Sequence, residues 1–224
     1  MKKLPTTPLR GKLGMISSVV RNHIEHTFED AEARNLFRRR LGMLSKARNA
    51  ELDENDVEAL AELAERYVLE TLHLIETCDV AAKQAQAEQL VTPLCETSLK
   101  VLAAQIDAPG PTTGLFGLMC DAYIARSLIS LLSDALRSSR GVPLLSSDSH
   151  LEAPIIRRLL GMRLAAELDT ATDDLLSTPR LKSALNNAFS LQNPLNANVQ
   201  GSEWGGTCAE GMASIFNASE DRRN

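Results

Sequence analysis

Between Val57 and Ile75 the chain repeats apolar or small residues at steps of three and four: Val57, Leu60, Ala61, Ala64, Tyr67, Val68, Thr71, Leu72 and Ile75. A helix gathers that spacing on one face, because its period of about 3.6 residues brings positions three and four apart together, whereas a strand scatters them over both sides. No segment shows the alternation of Val, Ile, Thr and aromatic residues that a half-buried strand needs. The expected fold is an all-α bundle of six to eight mostly antiparallel helices.

The same periodicity divides the rest of the chain. Thr7-Pro8 opens a helix to about Phe28 with Leu13, Ile16, Val20 and Ile24 on its face, and a second runs from Asp30 to Arg48 through Leu36, Phe37, Leu41 and Leu44. Asp53 is placed to cap the Val57 helix, which is expected to end near Cys78, where Asp79 starts an Ala/Gln-rich helix. Thr92-Pro93 kinks that helix or opens a new one, and Cys95, Leu99, Leu102 and Ile106 continue as a seam. "DAPGPTTG", Asp107 to Gly114, is the strongest breaker and marks a boundary between an N-terminal half, 1–107, and a C-terminal half, 108–191. The helix from Gly114 to about Ser138 is apolar over two adjoining stripes and should be the central helix of its half. Ser149 and Glu152 form a capping box for a helix reaching Leu176, and Thr178-Pro179 opens the next. Residues 192–224 read as a flexible tail, with Thr207 and Glu210 able to cap a short helix that groups Met212, Ile215 and Phe216 as a docking surface.

A phrase recurs three times, as "RGKLGM" from Arg10, "RRRLGM" from Arg38 and "RRLLGM" from Arg157. Glycine inside a helix costs about 0.5–1 kcal/mol relative to alanine, so Gly14, Gly42 and Gly161 are expected where another helix approaches closely. "AELD" follows the second and third copies, at Ala50 and Ala166, but no fixed period supports a repeat architecture.

Charge is unevenly spread. Residues 1–50 carry eleven Lys/Arg against four Asp/Glu, residues 51–107 three against thirteen, and residues 108–224 ten against twelve. Neighbouring helices of opposite sign neutralising each other account for this more simply than a nucleic-acid surface. Arg38, Arg39 and Arg40 spread around about 200 degrees of helical arc, which gives no single groove-reading edge, so they are candidates for a protein-facing surface instead. Aromatic content of 4% leaves few rings for stacking bases. A membrane span is not expected, since Leu115 to Leu132 carries Asp121 and Arg126. With no basic-then-apolar leader and with cysteines far apart, a cytoplasmic protein with reduced thiols is expected.

Chemistry-bearing constellations are few. No Ser/His/Asp set, phosphate loop or dinucleotide fingerprint appears, and no cofactor is implied. His23 and His26 are spaced to share a metal but lack a third ligand nearby, and Glu70-Thr-Leu-His73 has no second copy of its kind. His73 is expected on a solvated charged face with Glu62, Arg66, Glu70 and Glu76. Asp121 stands on an apolar stripe, where an unpaired carboxylate is costly. It is expected either to pair with Arg157 or Arg158 of the next helix or to face a pocket beside Tyr123. These features suit a non-catalytic helical interaction or regulatory protein that self-associates. The alternatives are a small-molecule sensor or enzyme built around Asp121 and Tyr123, and nucleic-acid binding through the first fifty residues.

Overall fold

The computed structural model describes residues 12–47, 53–84, 87–111, 113–140 and 153–190; the cap at Thr7-Pro8, the box at Ser149 and Glu152, Cys208, and the candidate surface of Met212, Ile215 and Phe216 lie outside them. Among the described residues there are eight helices and no strand. They are α1 (Lys12–Glu29), α2 (Ala31–Ala47), α3 (Glu54–Gln84), α4 (Glu88–Leu102), α5 (Gly114–Arg140), α6 (Ala153–Leu160), α7 (Met162–Leu176) and α8 (Pro179–Ser190).

Capping explains where two of them begin. The Asp30 carboxylate accepts from the Glu32 amide at 2.8 Å and so opens α2. Asp53 accepts from the Asp56 amide at 2.8 Å while the Asp56 carboxylate accepts from the Asp53 amide at 3.1 Å, a reciprocal box at the start of α3.

Three boundaries differ from the sequence expectation, each for a local reason. α3 does not stop near Cys78 but runs on to Gln84. Asp79, which reads as a helix start, is instead fully buried within α3 and paired with Lys83 one turn on. α4 carries Pro93 in its interior and ends at Leu102, short of Ile106. There the Ala104 and Gln105 amides turn back to the Val101 and Lys100 carbonyls at 2.9 Å each, with Ala104 at φ 51°, a left-handed helix stop made without glycine. The helix expected to reach Leu176 is broken into α6 and α7 at Gly161, whose φ of 85° and ψ of 145° lie outside the helical region.

Ion pairs give the direction of the first layer. Arg34 reaches Glu65 and Arg38 reaches Glu58, so α2 runs antiparallel to α3, and Arg21 of α1 reaches Glu76 in the C-terminal half of α3. Three arginines of the basic opening are thereby paired with carboxylates of the acidic stretch that follows it. Glu76 is buried, accepting from Ser17 and from Arg21 Nη2 at 2.8 and 3.0 Å, which corrects its expected place on a solvated face with His73.

α5 lies against α1, α2, α3, α4, α7 and α8, and so is central to the whole molecule rather than to its second half alone. One hydrophobic cluster holds Val20 and Ile24 of α1, Phe37 of α2, Val68 and Leu72 of α3, Leu94 and Leu99 of α4, and Met119, Leu128 and Ile129 of α5. Fully burying each such side chain contributes about 1.5–3 kcal/mol. The Ser98 hydroxyl donates to the Ala125 carbonyl at 3.2 Å, pinning α4 to α5 across the Asp107–Gly114 loop. α5 is also long and apolar enough to cross a membrane by length and composition, with 83% of that stretch buried inside the protein.

Candidate functional site

α5 projects Tyr123, Arg126, Ser127, Ser130, Leu131 and Asp134 from one side, because these positions recur at steps of three and four. α7 passes opposite with Asp169, Thr172 and Asp173, and Tyr67 of α3 closes the floor. Together they line a cleft of about 360 Å³.

The cleft is held by a clasp. The Tyr123 hydroxyl donates to Asp169 Oδ1 at 2.7 Å, and Arg157 Nη1 donates to Asp169 Oδ2 at 2.7 Å and to the Tyr123 oxygen at 2.8 Å. Arg157 stands four residues before Gly161, so the break there lets an α6 side chain reach back onto α7. Burial, then the hydrogen bond and charge of Asp169, push the Tyr123 phenol up to about 12, against the lowering effect of Arg157. The Arg157 guanidinium is raised further above its usual value, first by its hydrogen bond to Asp169. Both groups keep their protons throughout the physiological range.

Of the residues singled out in the sequence, the structure joins Tyr123 to Arg157 but parts both from Asp121. The expected pairing of Asp121 with Arg157 is not formed, because Arg157 is taken by Asp169. Asp121 is 8% exposed and makes no hydrogen bond or ion pair among the described residues; burial alone pushes its carboxyl up to about 7. It does not line the cleft. Arg158 is half-buried on α6.

The three consecutive arginines diverge. Arg38 is spent on Glu58, Arg40 lies over the Phe116 ring with its guanidinium carbon 3.7 Å from the ring centre, and Arg39 alone points to solvent. His23 and His26 are both exposed on α1, and no group of three His, Cys, Asp or Glu side chains able to hold a metal gathers among the described residues. Cys78, Cys95 and Cys120 are free and buried, and burial raises each thiol, Cys78 and Cys120 to about 12, so none is a reactive thiolate.

The repeated phrase is a helix contact at neither glycine whose surroundings are visible. A β-carbon on Gly42 or Gly161 would meet nothing within 4 Å. What the second and third copies share is the use of the arginine, Arg38 and Arg157 each clamping a carboxylate on a different helix, and an outward methionine, Met43 and Met162.

No protein-family model, curated protein or solved structure matches the chain.

Of the residues that line the cleft the sequence singles out only Tyr123 as a site residue, and the charged and aromatic ones it leaves unread are instructive. Tyr67 passes as one member of the α3 stripe, and Arg126 counts only against a membrane span. Asp169 sits in the "AELD" shared with Asp53, which suggests equivalent roles, yet Asp53 caps a helix and Asp169 anchors the clasp. Asp173, one turn beyond Asp169, is the only available signal, since two carboxylates four apart share a helix face.

Proposed function

We propose that the protein is a non-catalytic helical regulatory protein that binds a small polar ligand in the cleft between α3, α5 and α7. The observation that carries this reading is the cleft itself: helices from both sides of the Asp107–Gly114 loop converge on it with two tyrosines and charged side chains. Its size falls in the range of about 300–1,000 Å³ typical of small-ligand sites. Binding fits it better than proton transfer, because a general acid or base needs a pKa near the working pH. The Tyr123 phenol lies far above that, Asp169 already accepts two hydrogen bonds, and Asp121, whose carboxyl is raised to about 7, stands elsewhere. A thermal-shift screen of metabolites tests this; a ligand at a hundred times its dissociation constant stabilises by about 2.7 kcal/mol. Hits should weaken in Tyr123→Phe and Asp169→Asn, and a screen without hits sinks the reading.

A second reading, self-association, is favoured by a separate observation. Met15, Val19, Leu36 and Met43 are 68%, 51%, 55% and 65% exposed. By the helical period they lie on the edge of α1 and α2 opposite Arg21, Arg34 and Arg38, away from α3. A second copy covering this edge would bury apolar surface that is otherwise wet. Light scattering across a concentration series, repeated with Met15→Glu and Met43→Glu, decides it: a monomer at every concentration ends the idea. Nucleic-acid binding has less support, since Arg21, Arg34 and Arg38 of the basic block are engaged by α3.

A further inference from the structure

We infer that two copies of this chain associate through α2, the two helices lying antiparallel across Leu36 with Glu32 of each copy against Arg39 of the other; the inference rests on the self-association reading and gives it a geometry. The side of α2 that faces the protein is committed: Phe37 and Leu41 are buried, and Arg34 and Arg38 hold Glu65 and Glu58 of α3. The opposite side is not. Glu32, Leu36, Arg39 and Met43 follow one another at steps of four, three and four, which the helical period gathers within about 60 degrees of arc. All four are exposed, Leu36 by 55% and Met43 by 65%. That spacing is the seam by which one helix packs along another.

The charges on the seam name the occupant. Neither the Glu32 carboxylate nor the Arg39 guanidinium makes a hydrogen bond or ion pair among the described residues. They stand on either side of Leu36, four residues before it and three after, about 6 Å and about 4.5 Å along the axis. A parallel copy would set Glu32 against Glu32 and Arg39 against Arg39. A copy turned end for end about a two-fold axis near Leu36 sets Leu36 on Leu36 and forms the Glu32–Arg39 pair twice, so the patch is complementary to itself in that orientation. Met43, one turn beyond Arg39, then passes the start of the other α2 and reaches the corner between α1 and α2 at Asp30. Leucine and methionine supply the apolar contact, and the paired charges select the direction in which the helices meet.

Sedimentation of the full chain across a concentration series tests this with charge reversals. Arg39→Glu sets two acids together at both pairs and Glu32→Arg sets two bases together, and each should weaken the dimer about tenfold or more. The double variant Glu32→Arg, Arg39→Glu rebuilds both pairs with the signs exchanged and should return to within about threefold of the natural chain. Circular dichroism melts confirm that these exposed substitutions leave the fold intact. Cross-linking reads the direction independently: in a Cys208→Ser background, where the described cysteines are buried, Leu36→Cys should form a disulfide between copies under mild oxidation. Met43→Cys, about 20 Å from its counterpart in the antiparallel arrangement, should not. A dimer that ignores the single reversals, a double variant that stays weak, or cross-linking of Met43→Cys as readily as of Leu36→Cys overturns the arrangement and leaves self-association through another contact. A monomer at every concentration overturns both.

Discussion

A single carboxyl shows how residue and environment combine. Asp121 is placed in the apolar centre by the phase of α5, and no cation among the described residues comes to meet it. Its carboxyl titrates at about 7 in the folded chain, against about 3.9 when unfolded. Between those values the folded state binds more protons than the unfolded one, so this group's contribution to stability falls as pH rises from about 4 to about 7 and then levels off. Asp121→Asn should therefore match the natural protein near pH 4 and exceed it by a few kcal/mol, on the order of three pKa units, at pH 8. Urea denaturation at a series of pH values checks this, and a difference that stays flat across the window refutes it. The clasp behaves differently because its Arg157–Asp169 pair survives loss of the phenol: Tyr123→Phe should cost only about 1 kcal/mol in the same assay.

Individual helices were readable where pattern and packing agree, and misread where a local symbol carried two meanings. The α3 face and the Asp53 cap follow directly from spacing and capping chemistry. Asp79 looks like a helix start by the same rules, yet the neighbouring turns bury it in mid-helix, and no local signal distinguishes the two. Glycine is equally ambiguous. Gly42 lies inside α2 with open space at its β-carbon, so Gly42→Ala should stabilise by about 0.5–1 kcal/mol. Gly161 also has open space, but its φ of 85° makes Gly161→Ala destabilising by about 1–3 kcal/mol. Opposite signs from two copies of one phrase, read by chemical denaturation, would establish that conformation rather than contact decides both. At the end of α4, Ala104 holds a left-handed position that glycine occupies without strain, and Ala104→Gly should raise stability by about 1 kcal/mol. A loss there would mean that the turn is held by something other than its backbone.

At the scale of the whole molecule, one core spans the Asp107–Gly114 loop, with Leu99 and Leu102 on one side of it and Leu128 and Ile129 on the other. Calorimetry should accordingly show one cooperative transition, and two separable peaks would show that the halves fold independently. The charge blocks belong to this scale as well: Arg21, Arg34 and Arg38, from the +7 of residues 1–50, pair with Glu76, Glu65 and Glu58, from the −10 of residues 51–107, and so tie α1 and α2 to α3. The sequence by itself determined the helical class, the buried faces and the wide apolar arc of α5, because these depend on a period that neighbours a few residues apart already reveal. Only the tertiary structure decided which charge meets which. Arg157 lay within reach of two aspartates as far as its chain position shows, and it clasps Asp169 rather than Asp121 because Gly161 turns α7 back beneath it. The cleft is of the same kind, assembled from residues of α3, α5 and α7 far apart in the chain, and such a meeting is set by how the helices cross, which no local pattern encodes.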